Sequence, residues 1–364
     1  MKSQQSGLQI LMAAIICEPF SFISYKVMKN VFVLALILLS TTHCSFAMEE
    51  VNLYSARKEA LIKPLLDAFT ADTGIKVNII SSKADALLKR IQSEDFNSPA
   101  DVLLTTDAGR LYRAKQAGVF SAVDSKLLIE NIPAQYRDAD RQWFGLSIRV
   151  RPVLMVKGGE SDPIIRYEDL ADGRFKGAIC IRSSNNIYNQ SLVASMIDAL
   201  GEAETEIWAR HLVNNMARKP QGGDRDQIRA AAAGQCSIAI ANNYYLAQML
   251  ANPDNQTDYQ AAKKMRLIWP NQDDRGAHVN ISGAGVLKHA PHPANALKLI
   301  EYLVSDTAQQ IYADINLEFP VKKDIAINPL LANWGAFKAD SIALNKLGEN
   351  NAAAVRLMDR AGWK

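Results

Sequence analysis

The chain is 364 residues long, 48% hydrophobic and 22% charged, which excludes a disordered or collagen-like polymer and leaves room for two domains of ordinary size. A net charge of +3 gives no basic footprint for nucleic acid, and four cysteines in so long a chain exclude a disulfide scaffold.

The first 48 residues are apolar and nearly free of acid. Lys26 and Lys29 precede an apolar run from Val31 to Leu39, and Ser45-Phe46-Ala47 supplies the small residues of a cleavage site. This pattern predicts a secretory leader over residues 1–47, too short for a membrane span of about 20 apolar residues. Met28-Lys29-Asn30 is an alternative start that would leave 1–27 upstream. Thr41-Thr42-His43-Cys44 lacks the small residue that precedes a lipidated cysteine. Cleavage would remove Lys2, Glu18, Lys26 and Lys29, leaving a net charge of +1, and would discard Cys17 and Cys44. The predicted destination is the periplasm, across the inner membrane. That compartment is oxidising, so Cys180 and Cys236, each on a short apolar run, either pair or stay as buried thiols; geometry decides between them.

The body alternates strand and helix patterns. Strands are predicted over 51–54, 75–80, 101–104, 144–150, 152–156, 178–181, 237–241, 266–269 and 279–286. Helices fall between and after them, with Leu61, Leu65, Leu66 and Phe69 at helical spacing before a stop at Gly74. Further helices are predicted over 84–91, from an Asp107 N-cap to Gly118, and over 187–200, 205–216, 226–233, 245–250, 294–303 and 307–315. The alternation predicts an α/β architecture with parallel sheets. No linker separates two halves, so the chain is expected to cross between domains on strands, near 145–152 and 275–282.

Ligands of open α/β sheets bind beyond the carboxyl ends of the strands. Four such ends carry polar clusters: Tyr54 to Lys58, Thr105 to Asp107, Arg182 to Gln190, and Asn242 to Tyr245. Tyr188, Tyr244 and Tyr245 therefore follow two different strands. A phenolate is a hard oxygen donor, and a free phenol ionises near pH 10, so ligation at neutral pH needs a strongly charged hard cation such as ferric iron. Three phenolates would neutralise that ion and leave positions for water or an anion. Arg57 and Arg182 are placed to hold the anion through bidentate guanidinium contacts, although either is also a plain surface charge or strand-end residue. Asp107 reads as an N-cap first and a ligand second.

The tract from Val51 to about Lys322 resembles the periplasmic ferric-iron-binding proteins of bacterial ABC importers. The resemblance is carried by Leu53-Tyr54-Ser55-Ala56-Arg57, Ser98-Pro99-Ala100-Asp101-Val102, Thr106 to Leu111, Arg182 to Gln190, Ala241 to Tyr245, and His278 to Gly283. It implies a two-lobed periplasmic-binding-protein fold with crossover strands. On that basis one lobe spans 48–149 and 277–325, and the other 150–276 and 326–364. It further implies that Tyr244 and Tyr245 are iron ligands, with Tyr188 joining them as in the tyrosine-rich branch of the family. In that branch carbonate or another synergistic anion completes the sphere. Other branches place a histidine and a glutamate where this chain has Lys58 and Thr106, so their ligand set is absent here. The implied role is capture of Fe3+ by a monomer and delivery to an ABC permease, without catalysis.

Two rivals remain. A phosphate or other small organic-anion ligand would suit the arginines of the same fold. Ser55-Ala56-Arg57-Lys58 also matches the S-x-x-K nucleophile motif of a serine acyl-enzyme. Its partner motifs fail, because Lys157-Gly158-Gly159 is not K-T-G and Ser161-Asp162-Pro163 is not S-D-N. Zinc is disfavoured: His211, His278, His289 and His292 form no ligand motif. Gly283-Ala284-Gly285 lacks the third glycine of a dinucleotide fingerprint.

Overall fold

A computed structural model describes residues 49–158 and 164–364. The predicted leader, its alternative Met28 start and the Ser161-Asp162-Pro163 stretch lie outside the described residues. No described helix is long and apolar enough to cross a membrane.

The described strands are β1 (Glu50–Ser55), β2 (Lys76–Ser81), β3 (Val102–Thr106), β4 (Phe144–Val150), β5 (Val153–Val156), β6 (Ile179–Cys180), β7 (Ile238–Ile240), β8 (Met265–Ile268), β9 (Val279–Val286) and β10 (Phe319–Pro320). They form a six-stranded sheet in the order β10-β4-β9-β3-β1-β2 and a four-stranded sheet in the order β6-β7-β5-β8. The chain leaves the first sheet between β4 and β5, at Arg151-Pro152. It returns between β8 and β9. Proline has no N–H to give a ladder, which suits Pro152 to the break.

The sheets are mixed rather than parallel. Only β1–β2, β1–β3 and β6–β7 pair in parallel, whereas β3–β9, β4–β9, β10–β4, β5–β7 and β5–β8 are antiparallel. The cause is the crossover. β9 re-enters the first sheet from the far side, so it runs against β3 and against β4, the strand that leaves. Gly283 and Gly285 on β9 serve this close packing. A Cβ at Gly283 would stand 2.7 Å from the Phe144 carbonyl oxygen, and one at Gly285 would stand 2.4 Å from that of Gln142.

Helices cover the sheets where apolar spacing predicts them, and Glu59–Thr73 ends on Gly74 in the left-handed conformation at φ 72°. Five short or polar helices escape sequence reading: Lys126–Asn131, Gln256–Lys263, Pro329–Ala332, Asn345–Glu349 and Asn351–Arg360. Gly348 of the helix Asn345–Glu349 lies against Tyr112, where a Cβ would stand 2.4 Å from the ring. The helix Asn351–Arg360 packs on Ile187–Leu200 and Glu202–Asn214. Cys180 and Cys236 form a disulfide beside the β6–β7 pair.

Candidate functional site

Two adjacent parallel strands, β6 and β7, deliver the three tyrosines. After β6 the chain turns through Arg182–Asn186 into the helix Ile187–Leu200. Asn186 caps that helix by accepting from the backbone N–H of Tyr188 at 3.1 Å, which places Tyr188 in the first turn at the strand ends. After β7, Asn242 and Asn243 open the helix Asn243–Leu250. Neither asparagine caps it. Asn242 Oδ1 accepts from Arg151 at 2.8 Å, and Asn243 Oδ1 accepts from the backbone N–H of Val150 at 2.9 Å. The two asparagines therefore tie the tyrosine pair to the outgoing crossover.

The Tyr244 and Tyr245 rings stand 4.2 Å apart between centroids, tilted by 34°. Tyr244 is 5% exposed. Burial raises its pKa above 10, and the Tyr188 and Tyr245 phenols push it further, against the opposing pull of Arg149. Tyr245 is raised for the same first reason, then by Tyr188 and Asp224. Both phenols are thus neutral without a cation. The Tyr188 phenol therefore lies near enough to raise both. Among the described residues no three His, Cys, Asp or Glu side chains gather as a metal site.

Arg149, on β4, is the group that sequence reasoning missed. Its guanidinium carbon lies 5.6 Å from the Tyr188 ring centroid, with that of Arg182 at 6.0 Å. Arg149 donates to the Ile281 carbonyl at 2.6 Å and to Ser282 Oγ at 2.9 Å. Burial alone would lower its pKa, but Tyr188, Glu318, Tyr244 and Asp107 outweigh that and hold it charged. The sequence signal was available: Arg149 and Arg151 stand two apart in an apolar strand-like run, hence on one face. Arg149, Arg151, Tyr188, Asn242, His278 and Asn280 line a small pocket at this point. His278 is pushed down to about 3 by burial, then by Arg151 and Arg275, so it stays neutral.

The two arginines expected to hold an anion are already partnered. Arg57 is buried, donating to Glu318 at 2.9 Å and to Ser282 Oγ at 2.5 Å. Burial would push the Glu318 carboxyl up, but Arg57 and Arg149 hold it below the usual range. Arg182 donates to Asp224 at 2.6 Å and keeps a quarter of its side chain exposed.

Asp107 caps the helix Ala108–Gln116 by accepting from the Gly109 N–H at 2.9 Å. It also accepts from Ser191 at 2.7 Å and Asn280 at 2.8 Å, in a backbone conformation with φ 92°. Lys58 is exposed, and Thr106 is occupied by Arg110 at 3.2 Å. Ser55 is buried, accepting from the Arg57 N–H, so the S-x-x-K pair is not brought together as nucleophile and base.

Residues 97–339 match the family described as bacterial extracellular solute-binding protein. The chain is 46% identical over 317 residues to the protein named iron uptake protein A1 of Synechocystis, covering 87% of this chain and 88% of that one. Among solved structures, the Trichodesmium protein in complex with iron and citrate superposes with a TM-score of 0.83 at 47% identity. That match covers 86% of this chain and all of the other. The apo ferric ion-binding protein A of Pasteurella haemolytica gives 0.81 at 44% identity, over 86% and 98% of the two chains.

Proposed function

The chain belongs to the bacterial extracellular solute-binding protein family, and from that premise we propose that it captures ferric iron and hands it to a membrane permease of an ABC importer. Tyr188, Tyr244 and Tyr245 are the ligands in this reading. On binding, the phenols release their protons to solvent, and the ion supplies the positive charge that the neutral Tyr244 and Tyr245 lack without it. A synergistic anion such as carbonate fills the remaining positions. Its counter-charge comes from Arg149 and from the exposed edge of Arg182, with Arg57 behind them.

The observation that carries the reading is that Tyr188 follows β6 while Tyr244 and Tyr245 follow its parallel neighbour β7, with 4.2 Å between the ring centroids of the last two. Named relatives support the choice of ion: they are iron uptake and ferric iron-binding proteins. The partnered state of Arg57 and Arg182 weighs against a site built for a bare oxyanion. Binding involves no covalent chemistry. The lobes, 48–149 with 277–325 and 150–276 with 326–364, close on the ion by rotation about the two crossovers. Residues 1–47 export the chain, and it works in the periplasm as a monomer.

The test is colour. The purified chain loaded with a ferric salt should gain a visible phenolate-to-iron charge-transfer band, and Tyr244→Phe with Tyr245→Phe should abolish it while the far-UV spectrum stays unchanged. Tight iron binding without colour would sink the tyrosinate site.

A further inference from the structure

Arg151 occupies the link between β4 and β5, so its backbone belongs to the crossover. Its backbone N–H donates to the His278 carbonyl at 3.1 Å on the return crossover. Its guanidinium, 1% exposed, enters the strand ends of the second sheet. There Nη1 donates to Asp224 at 3.0 Å and to Asn242 at 2.8 Å, while Nη2 donates to Asn189 at 2.6 Å. Asn189 directly follows Tyr188, and Asn242 precedes the tyrosine pair. Asp224 completes the ring. Its carboxylate also accepts from the Asn242 backbone N–H at 3.1 Å and from Arg182 at 2.6 Å. Asn189 then donates to the carbonyls of Arg182 and Ser183 at 2.8 and 3.1 Å. One guanidinium and one carboxylate thus grip both tyrosine-bearing turns.

A buried ion pair is weak evidence for stability, since apolar residues of like volume often serve as well. Its planar, forked geometry instead fixes orientation. Asp224 makes the point sharper. A carboxylate beside phenols that must ionise opposes that ionisation, so its charge, which pairs with Arg151 and Arg182, does not itself favour the phenolates. Its geometry serves them instead: groups that orient metal ligands govern how well the ligands converge.

We infer that Arg151 and Asp224 are positioning residues of the tyrosine site, holding the Tyr188 turn and the Tyr244–Tyr245 turn at one separation so that the three phenol oxygens meet on a single ferric ion. The inference rests on the ferric reading above and names the groups that make it work.

The experiment compares the full chain with Arg151→Met, Arg151→Lys and Asp224→Asn. Each is titrated with ferric citrate and followed by the charge-transfer band and by iron retention against a chelator, with a urea denaturation curve alongside. Arg151→Met and Asp224→Asn should weaken retention by about 10- to 100-fold and shift the band relative to the wild type. Arg151→Lys keeps the charge but lacks the fork, so it should not restore the wild-type band. Folded variants with wild-type band and retention overturn the inference, even if their urea midpoints fall. Should Arg151→Met fail to fold, Asp224→Asn, which keeps the shape of the acid, decides by the same criterion. A wild-type chain that takes up no ferric iron overturns the underlying reading, and that outcome is distinct from unaffected variants in a wild type that does.

Discussion

Arg149 lies on β4 of the first sheet, yet its guanidinium stands 5.6 Å from the ring centroid of Tyr188, whose helix follows β6 of the second. The cation therefore spans the boundary between the sheets and pulls the neighbouring Tyr244 phenol toward ionisation, against burial and the other phenols. On the proposed tyrosine site, iron binding must displace phenol protons, so retention should fall as pH falls. Arg149→Gln removes a cation that eases Tyr244 ionisation. The pH at which the charge-transfer band is half lost on acidification should move upward, read by absorbance across a pH series.

The metal-free protein should weaken in alkali. An unfolded tyrosine ionises near pH 10, whereas Tyr244 and Tyr245 are held above that value by burial first and by neighbouring charge second. Their contribution is whole below the unfolded pKa and is lost as pH rises through the folded one, because the unfolded state loses its protons first. Thermal melts from about pH 9 to 11 should show a falling midpoint. The double phenylalanine variant should lose less over the same range.

Glu318 makes a different prediction. Its carboxylate holds Arg57 and also accepts from Ser147, all inside the protein. Glu318→Ala strands a buried guanidinium and should cost about 3–5 kcal/mol in chemical denaturation. Replacing both partners, as Arg57→Met with Glu318→Leu, should cost clearly less. Because the Glu318 pKa is lowered, its contribution is present above the usual carboxyl value and disappears as pH falls through the folded one.

The Cys180–Cys236 bond closes a loop across 56 residues beside the strands that deliver the tyrosines. Loop-closure entropy assigns it about 4 kcal/mol. Replacing both cysteines by alanine should lower the urea midpoint accordingly. Iron release should quicken as well, since β6 and β7 lose a fastening near the tyrosine turns.

Much of this was legible in the order of residues. Apolar spacing located the strands and the long helices, and the polar strand ends located Tyr188, Tyr244 and Tyr245 before any fold was in view. Strand direction was not legible, because β9 pairs antiparallel only by virtue of where the second crossover returns it. The partners of Arg57 and Arg182 were hidden for a related reason. Glu318 lies 261 residues from Arg57, and Asp224 lies 42 from Arg182. No local pattern announces such pairings. After residue 325, Pro329–Ala332 and Asn345–Glu349 went unread because each is too brief for a clear apolar period, and Asn351–Arg360 buries only Ala354, Leu357 and Met358 of its ten residues.

Trp363, after the helix Asn351–Arg360, is 1% exposed, and its indole N–H donates to the Arg182 carbonyl at 2.9 Å. The same carbonyl accepts from Asn189, so Trp363 buttresses the turn that carries Tyr188. This bears on how the protein is handled. A tag placed after Lys364, or a deletion that removes Trp363, would act one hydrogen bond away from the turn that carries Tyr188, and iron binding by such variants should be compared with that of the unaltered chain.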